Sequence, residues 1–330
     1  MSLFEVASLT KTFPVKAKGI GGLQKIFPFL QKQRASLDAL QEVSFSVEEG
    51  QIVGCIGMQG AGKSVLLKTL CGIIKPSGGS VRIDGIDPYE NRHAIADKLA
   101  VVWDASMELS WNLPLQDTFA IYQKLYAIPN DTYQKNFTRL VEMLTLEAAL
   151  ALPVEQLTQT EKAKANIALS MLRAPEILLI DNPTFGLNAA NKCIVREALH
   201  AIHHEMSTTI MFTTQDMDDI ETIATKMLLL HEGMLLFEGK YELFATQYTA
   251  ELMIVMDFSV VPRWKEDRRF TLARAEEGKW YVQVTPALSS REAFIELVRM
   301  YEPAGIALYE QNIEDILDKI FEEPLTQNML

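Results

Sequence analysis

The sequence contains little cysteine and no long apolar run. Only 3 cysteines occur in 330 residues, and their wide separation matches neither a disulfide framework nor a metal site. No secretory signal pattern opens the chain, and no apolar run has the length that crosses a bilayer. We therefore expect an intracellular protein that is soluble or reaches a membrane through another molecule. We interpret the cysteines as small buried hydrophobic residues in a reducing compartment: Cys55, Cys71 and Cys193.

Positive charge is also in deficit. The chain has 31 lysines and arginines against 43 acidic residues, a formal net charge of −12, which argues against free nucleic acid as a partner. The composition is otherwise that of a globular protein, and a length of 330 residues suits one large domain with a smaller one. We find neither an internal repeat nor a low-complexity segment in the sequence.

A glycine-rich run at residues 57–64 carries the clearest chemical signal. It lies between residues 51–56, typical of a buried strand, and residues 65–70, typical of a helix whose N-terminus faces an anion. Its glycines allow a tight turn whose backbone N–H groups point at phosphate, while Lys63 can reach the β- and γ-phosphates and Ser64 can bind Mg²⁺. We therefore predict that a nucleoside triphosphate is bound by Gly57, Met58, Gln59, Gly60, Ala61, Gly62, Lys63, Ser64 and Val65.

Strands alternate with helices around this loop. The apolar run at residues 177–180 predicts a central strand buried on both faces, and the acid that follows it, Asp181, can hold Mg²⁺. The alternation predicts an α/β fold with a mostly parallel core sheet, antiparallel edge strands and a helical subdomain at about residues 105–173. The other predicted elements are an edge strand at 2–13, strands at 43–47, 81–83 and 208–213, a turn at 77–80, a hairpin at 227–231 and 234–238, and a helix at 192–206.

Residues 14–36 form an insertion that mixes basic and apolar side chains and contains no acid. Two interpretations stay open. The insertion lies on an anionic membrane surface or against a membrane partner, or it is a loop whose apolar side packs on its own domain.

After about residue 249 the pattern changes. The sequence predicts a nucleotide-binding domain over residues 1–248 and a small α/β accessory domain over residues 249–330. Within the accessory domain the predicted strands are 252–260, 270–275, 280–284 and 306–309, and the predicted helices are 291–300 and 313–321.

Two later stretches complete the pattern around the glycine-rich run. Residues 177–188 read Ile-Leu-Leu-Ile-Asp-Asn-Pro-Thr-Phe-Gly-Leu-Asn, and residues 212–221 read Phe-Thr-Thr-Gln-Asp-Met-Asp-Asp-Ile-Glu. In order and spacing the chain resembles the ATP-binding subunit of ABC transporters over about residues 3–245. The resemblance is closest to subunits of multi-subunit bacterial exporters, which share the basic insertion, an element similar to residues 111–114 and a C-terminal domain ending like residues 313–321.

The resemblance implies a P-loop NTPase fold with ATP and Mg²⁺ as ligands. It implies Ser64 and Asp181 at the metal and Phe13 stacked on the adenine. The implied partners are membrane-spanning transporter subunits and a second ATP-binding subunit, either a copy of this chain or another protein. The implied location is peripheral, on the cytoplasmic face of the cell membrane.

The chain departs from the family pattern where hydrolysis takes place. Asn182 replaces the glutamate that polarises the attacking water, and an amide cannot accept a proton at neutral pH. Gln215 replaces the switch histidine, and Asn188 replaces the aspartate that couples the two sites of a dimer. The family signature aligns with residues 157–161, which lack the glycine beside the γ-phosphate and carry Glu161, whose charge repels a triphosphate.

The residues therefore indicate retained ATP binding with weak or absent hydrolysis. Ala105 aligns with a further family position, a glutamine before the helical subdomain. Two alternatives stay open: an active exporter ATPase that tolerates these changes, with Asp216 or Asp218 as its base, and a non-enzymatic regulator or scaffold that senses ATP. Three histidines between residues 200 and 204 have helical spacing but no acidic or cysteine partner that would make a metal site.

Overall fold

The computed structural model describes residues 2–15, 35–103, 112–248, 252–285, 288–309 and 316–317. It divides into two compact units, Met1–Tyr241 and Glu242–Leu330. The strands are β1 (Ser2–Val15), β2 (Ala35–Glu48), β3 (Ile52–Ile56), β4 (Gly78–Ile83), β5 (Leu99–Val102), β6 (Ile177–Asp181), β7 (Thr209–Thr214), β8 (Lys226–His231), β9 (Met234–Gly239), β10 (Leu252–Asp257), β11 (Phe270–Glu276), β12 (Lys279–Val284) and β13 (Gly305–Tyr309). The helices are α1 (Lys63–Leu70), α2 (Arg92–Ala96), α3 (Leu115–Leu125), α4 (Asn130–Met143), α5 (Gln159–Met171), α6 (Ala189–Met206), α7 (Met217–Ile223), α8 (Tyr241–Tyr248) and α9 (Ser290–Tyr301).

The first unit is built around a six-stranded sheet in the order β5-β6-β7-β3-β8-β9. Every neighbouring pair is parallel except β8 and β9, which form the predicted antiparallel hairpin at one edge. All residues of β3 and β6 are buried, as expected for apolar strands in the interior of a parallel sheet. The structure thus confirms the mostly parallel core sheet with an antiparallel edge strand.

Helices cover both faces of this sheet. Val53 and Cys55 of β3 belong to the same apolar core as α1. Gly54 points to the opposite face because side chains alternate along a strand. A Cβ added there would come within 2.4 Å of the side chain of Ile220, so α7 packs directly on the glycine.

A second, three-stranded sheet has the order β2-β1-β4, with both pairs antiparallel. Its apolar side chains share one buried core with α1 and the large sheet. The prediction of an edge strand at residues 2–13 is therefore wrong, because β1 is paired on both sides. The predicted turn at 77–80 is also partly wrong, since residues 78–80 already belong to β4 and pair with β1.

The helical subdomain contains α3, α4 and α5. Pro129 precedes α4, and Pro153 precedes a short 3-10 turn at Val154–Gln156, so both prolines interrupt the helical stretch as predicted. The family positions Ala105 and Trp111 lie outside the described residues.

The second unit contains a four-stranded antiparallel sheet in the order β11-β12-β10-β13. One face of the sheet packs against α9 through a core that includes Trp280, Leu297 and Tyr301. Trp264 stacks on Tyr301 with ring centroids 5.4 Å apart, which holds the connection before β11 against this core. The four predicted strands and the helix are present, whereas most of the predicted helix at 313–321 lies outside the described residues.

Two boundaries differ from the sequence predictions. β1 and β2 stay paired as far as Val15 and Ala35, so the residues at both ends of the predicted insertion at 14–36 belong to strands. Residues 16–34 lie outside the described residues.

The burial of the cysteines differs in part from the prediction. Cys55 is buried as expected, but Cys193 is exposed on α6, because it faces away from the side on which that helix packs.

Candidate nucleotide site

Three strands of the large sheet end at the same edge. Asp181, the last residue of β6, pairs with Thr213 of β7, and Thr213 pairs in turn with Cys55 of β3. Because these strands are parallel, the loops that follow their carboxyl ends lie side by side. Three distant sequence segments therefore meet there: residues 57–64, residues 182–188 and the turn after β7.

The loop at residues 57–64 is tightly packed at Gly57 and Gly62. A Cβ added to Gly57 would lie 2.2 Å from the carbonyl oxygen of Leu230. Gly62 has φ of +104°, and an added Cβ would lie 2.4 Å from the carbonyl oxygen of Ala39. A larger residue at either position would collide with backbone, which explains why the loop needs glycine there.

Lys63 begins α1 and is almost fully buried. Its ammonium donates to the carbonyl oxygens of Gly57 at 2.5 Å and Met58 at 2.9 Å. Burial lowers the pKa of Lys63 below its ordinary value, while the neighbouring Asp181 charge acts in the opposite direction. The site thus holds a buried cation whose partners here are neutral carbonyls, an arrangement that favours an incoming anion.

Ser64 and Asp181 form the second part of the site. The Ser64 hydroxyl donates to Asp181 Oδ2 at 2.8 Å, and the Thr213 hydroxyl donates to Asp181 Oδ1 at 2.5 Å. A hydroxyl and a carboxylate side by side are oxygen donors of the kind that Mg²⁺ prefers. Thr213 was not singled out from the sequence, although its position at the end of a predicted strand beside Asp181 is a usable signal.

Asn182 directly follows the acid and has φ of +50°, a left-handed conformation that asparagine adopts more readily than most residues. Its backbone N–H donates to the carbonyl oxygen of Thr213 at 3.1 Å, and its side-chain amide donates to Asp181 Oδ1 at 3.4 Å. The backbone at residue 182 is therefore held against β7 next to the acid.

A cavity of about 940 Å³ opens above these groups. Of the residues proposed from the sequence, the structure brings nine to its lining: Phe13, Gln59, Gly60, Gly62, Lys63, Ser64, Val65, Asn182 and Gln215. Gly57, Met58 and Ala61 are not among the lining residues, and Asp181 lies behind Ser64. Leu37, Asp38, Ala39, Gln41, Phe185 and Glu232 also line the cavity but were not predicted.

The pairing of β1 with β2 places Phe13 and the unpredicted residues of β2 at the cavity. Phe13 pairs with Leu37 across the β1–β2 ladder, which places both at the cavity. The Lys11 ammonium lies 4.9 Å from the centroid of the Phe13 ring. Residues 16–34 separate the two strands in sequence, so only the strand pairing reveals that Leu37 belongs to the site.

The N-terminus of α5 is closed by its own side chains. The Thr158 hydroxyl accepts from the Glu161 backbone N–H at 3.2 Å, and the Glu161 carboxylate accepts from the Thr158 backbone N–H at 2.8 Å. This capping box satisfies N–H groups at the start of the helix and places a negative charge there. Asn188 caps α6 in a similar way by accepting from the Asn191 N–H at 3.0 Å.

Asp216 and Asp218, the two acids considered as substitute bases, do not lie where a base for ATP hydrolysis would be needed. Asp216 forms ion pairs with Lys192 and with Arg196 and caps α7. Asp218 is exposed. Neither lines the cavity among the described residues, so the structure gives no support to an active ATPase that relies on one of them.

Two of the three histidines of α6 contact backbone carbonyls. A ring nitrogen of His200 lies 3.1 Å from the carbonyl oxygen of Thr222, and one of His203 lies 2.9 Å from that of Thr208. Within the described ranges, no group of three or more His, Cys, Asp and Glu side chains could hold a metal ion. In that part of the chain, no helix is both long and apolar enough to cross a membrane.

Comparison with known proteins agrees with the geometry. Residues 40–185 match the family model described as ABC transporter. NatA, an ABC transporter ATP-binding protein of Bacillus subtilis, is 23% identical over 212 residues, which cover 64% of this chain and 86% of NatA. MetN, the methionine import ATP-binding protein of Latilactobacillus sakei, is 28% identical over 308 residues, covering 90% of this chain and 88% of MetN.

A solved structure shows the same fold. CbiO1 of Clostridium perfringens, part of the ABC transporter complex CbiONQ, superposes with a TM-score of 0.62 at 21% identity over 74% of this chain and 92% of CbiO1. The parallel sheet, the glycine-rich loop after β3 and the family match thus agree with one another. The chain therefore has the P-loop NTPase fold of ABC ATP-binding proteins, and its residues 40–185 are similar to that family.

Proposed function

We propose that this chain is the ATP-binding subunit of an ABC-type membrane exporter that binds Mg·ATP and hydrolyses it weakly or not at all. One observation carries the proposal. The Ser64 hydroxyl bonds Asp181 beside the glycine-rich loop, while Asn182 and Gln215 line the same cavity at the positions where the family resemblance implies a glutamate and a histidine. Binding and hydrolysis therefore depend on different residues of one site.

Nucleotide would be held by residues of three segments. The backbone N–H groups of residues 57–64 and the Lys63 ammonium bind the phosphates, and the ring of Phe13 offers a stacking surface for adenine. Ser64 and Asp181 supply the oxygens for Mg²⁺, which neutralises charge on the β- and γ-phosphates when bound.

Hydrolysis would lack its base. Asn182 stands beside Asp181 at the cavity, and its amide can hydrogen-bond a water but cannot take its proton. Gln215 can likewise donate a hydrogen bond to a phosphate oxygen. The site therefore holds a triphosphate in place and fails to activate the attacking water.

The capping box of α5 would also weaken hydrolysis at a nucleotide site shared with a paired subunit. In the family a nucleotide lies between the phosphate loop of one subunit and the signature of the other. Here the corresponding helix start already binds the Glu161 carboxylate, and that charge repels a triphosphate. We therefore infer that this chain also weakens the site across a dimer, whether its partner is a second copy or another ATP-binding subunit.

A surface of the helical subdomain suits a membrane-spanning partner. We call it the apolar patch: the exposed side chains of Leu113, Ile121, Leu125, Tyr126 and Leu152. Residues 121 and 125 share one face of α3, and a bridge between the adjoining prolines brings residues 113 and 152 together. Exposed apolar side chains at the start of α3 and along it suit protein–protein contact. Binding there would hold the chain peripherally on the cytoplasmic face of the membrane.

The transporter that this subunit serves is either an exporter or an importer. The basic insertion and the C-terminal unit favour an exporter. The similarity to MetN, which extends over 90% of this chain, favours the ATP-binding subunit of an importer as the second candidate. Sequencing the proteins that co-purify from membranes with the tagged chain tests both, because the membrane-spanning partner distinguishes them. Recovery of the chain without any membrane protein would contradict both and favour a regulator.

The catalytic part of the proposal is tested with the purified full chain. Isothermal titration calorimetry with Mg·ATP is expected to detect binding, while phosphate release at saturating Mg·ATP is expected to stay at the background of a Lys63→Ala control. Turnover at about 1 s⁻¹ or faster, within the range usual for enzymes, would refute the degenerate assignment. Absence of ATP binding would refute the nucleotide site.

A further inference from the structure

Asp219 lies on α7 and is completely buried. Its Oδ1 accepts from Arg196 Nε at 2.7 Å, and its Oδ2 accepts from the hydroxyls of Thr184 and Thr214, each at 2.6 Å. Because an ionised carboxylate only accepts hydrogen bonds, both hydroxyls must donate. Three donors thus satisfy a charge that would be very unfavourable to bury alone.

The two threonines belong to different loops of the site. Thr184 follows β6 and lies between Asn182 and Phe185, both of which line the cavity. Thr214 ends β7 and directly precedes Gln215, which also lines the cavity. Both threonine side chains are buried and neither lines the cavity. One carboxylate oxygen therefore joins the segments that carry Asn182 and Gln215.

A second set of contacts holds the same region. Asp216 Oδ2 accepts from the Lys192 ammonium and, at 3.4 Å, from Arg196, and the Asp216 backbone N–H donates to the Thr214 hydroxyl at 3.0 Å. Burial acts to lower the pKa of Arg196, but its hydrogen bond to Asp219 and the nearby acids raise it. The guanidinium therefore keeps its charge and connects α6 to both acids.

We propose that Asp219 is a positioning residue that sets the loop after β6 against the loop after β7, so that Asn182 and Gln215 together meet the terminal phosphate of a bound nucleoside triphosphate. This inference rests on the proposed ATP binding. A hydroxyl bound to a buried charge is directional, so each threonine fixes the distance of its loop from Asp219. The α- and β-phosphates depend instead on residues 57–64, with which Asp219 forms no side-chain hydrogen bond among the described residues.

The test uses threonine-to-valine variants of the full chain, because valine keeps the shape and removes the hydroxyl. Thr184→Val and Thr214→Val each release one loop while leaving the Arg196–Asp219 pair in place. Thr208→Val is the matched control: Thr208 is also fully buried, and its hydroxyl has no hydrogen-bond partner among the described residues. The serine variants of residues 184 and 214 retain the hydroxyl and test rescue.

Calorimetry with Mg·ATP and, separately, with Mg·ADP measures the effect. Each loop variant is expected to raise the Kd for ATP about 3- to 10-fold, because losing a hydrogen bond to a charged group changes an equilibrium constant by more than tenfold and only part of that loss reaches the nucleotide. The Kd for ADP is expected to stay within about 2-fold, because ADP lacks the γ-phosphate. The double variant should fall short of the product of the two single effects, since both act through one carboxylate. The serine variants should bind ATP like the unchanged chain.

A second measurement needs no nucleotide. Hydrogen–deuterium exchange is expected to show that Thr184→Val speeds exchange in residues 214–218 as well as in its own loop, whereas Thr208→Val leaves both segments unchanged. A role confined to stability would lower the melting temperature and change ATP and ADP affinities alike, and that result would overturn the proposal. Loop variants that match Thr208→Val in both measurements would also overturn it. If the unchanged chain binds no ATP, the proposed function itself fails, an outcome visible before any variant is compared.

Discussion

Replacing Asn182 by glutamate separates nucleotide binding from hydrolysis most directly. Asn182 lines the cavity and follows Asp181, the position from which a carboxylate would polarise the attacking water. We expect Asn182→Glu to release phosphate from ATP faster than the unchanged chain, because a carboxylate can accept the proton that an amide cannot.

The magnitude follows from two opposing effects. A general base contributes about 10²–10⁴ in rate, or roughly 3–5 kcal/mol of barrier at 1.36 kcal/mol per tenfold. Against this, residue 182 has φ of +50°, and a residue other than glycine, asparagine or aspartate there costs about 1 kcal/mol. A second carboxylate beside Asp181 adds like-charge repulsion. Since Gln215 is also altered, we expect a gain near the lower end, about 10²-fold.

The assay is steady-state phosphate release at saturating Mg·ATP. Asn182→Gln is the matched control, because glutamine has the length of glutamate but no basic oxygen, and its rate should equal that of the unchanged chain. Adding Lys63→Ala to Asn182→Glu should return the signal to background and so exclude a contaminating ATPase. If Asn182→Glu is no faster than Asn182→Gln, the missing base is not what limits hydrolysis and the reasoning is refuted.

Three further predictions concern binding, stability and docking. Lys63→Ala should raise the Kd for ATP about 10- to 100-fold in calorimetry, because a buried charge-assisted contact with phosphate is lost, and an unchanged Kd would contradict the assigned site. Glu161→Ala should lower the free energy of unfolding in urea by about 1 kcal/mol by opening the capping box, and an unchanged midpoint would contradict that geometry. Leu125→Asp should reduce recovery of the chain with membrane partners while leaving ATP affinity unchanged, whereas full recovery would exclude the apolar patch as the docking surface.

Cysteine reactivity provides a check on the fold itself. Burial raises the pKa of the Cys55 thiol to about 12, so at pH 8 only about 1 in 10⁴ of these thiols is ionised, and the side chain is inaccessible. We expect a maleimide at pH 8 to label exposed Cys193 within minutes and Cys55 only after unfolding, as measured by peptide mass spectrometry. Rapid labelling of Cys55 in the folded chain would contradict the packing of β3.

Local patterns in the sequence determined the elements and the anchors of the site. The apolar runs of β3 and β6 predict buried strands because parallel sheets are covered on both faces. The glycine-rich loop is evident because backbone must approach both phosphate and its neighbours closely. Each of these patterns is formed by a few adjacent residues, so it can be recognised without knowledge of the fold.

Tertiary structure decided everything that depends on pairing between distant segments. β1 looks like an edge strand by itself, yet it gains β4 as a second neighbour, which no local pattern reveals. The same pairing logic brings Leu37 opposite Phe13 at the cavity. It also brings Asp219 to the threonines of two separate loops. The sequence alone could therefore predict which residues would bind phosphate. Only the packed sheet could decide how the loops around the phosphate are held, because that depends on hydrogen bonds between residues far apart in the chain.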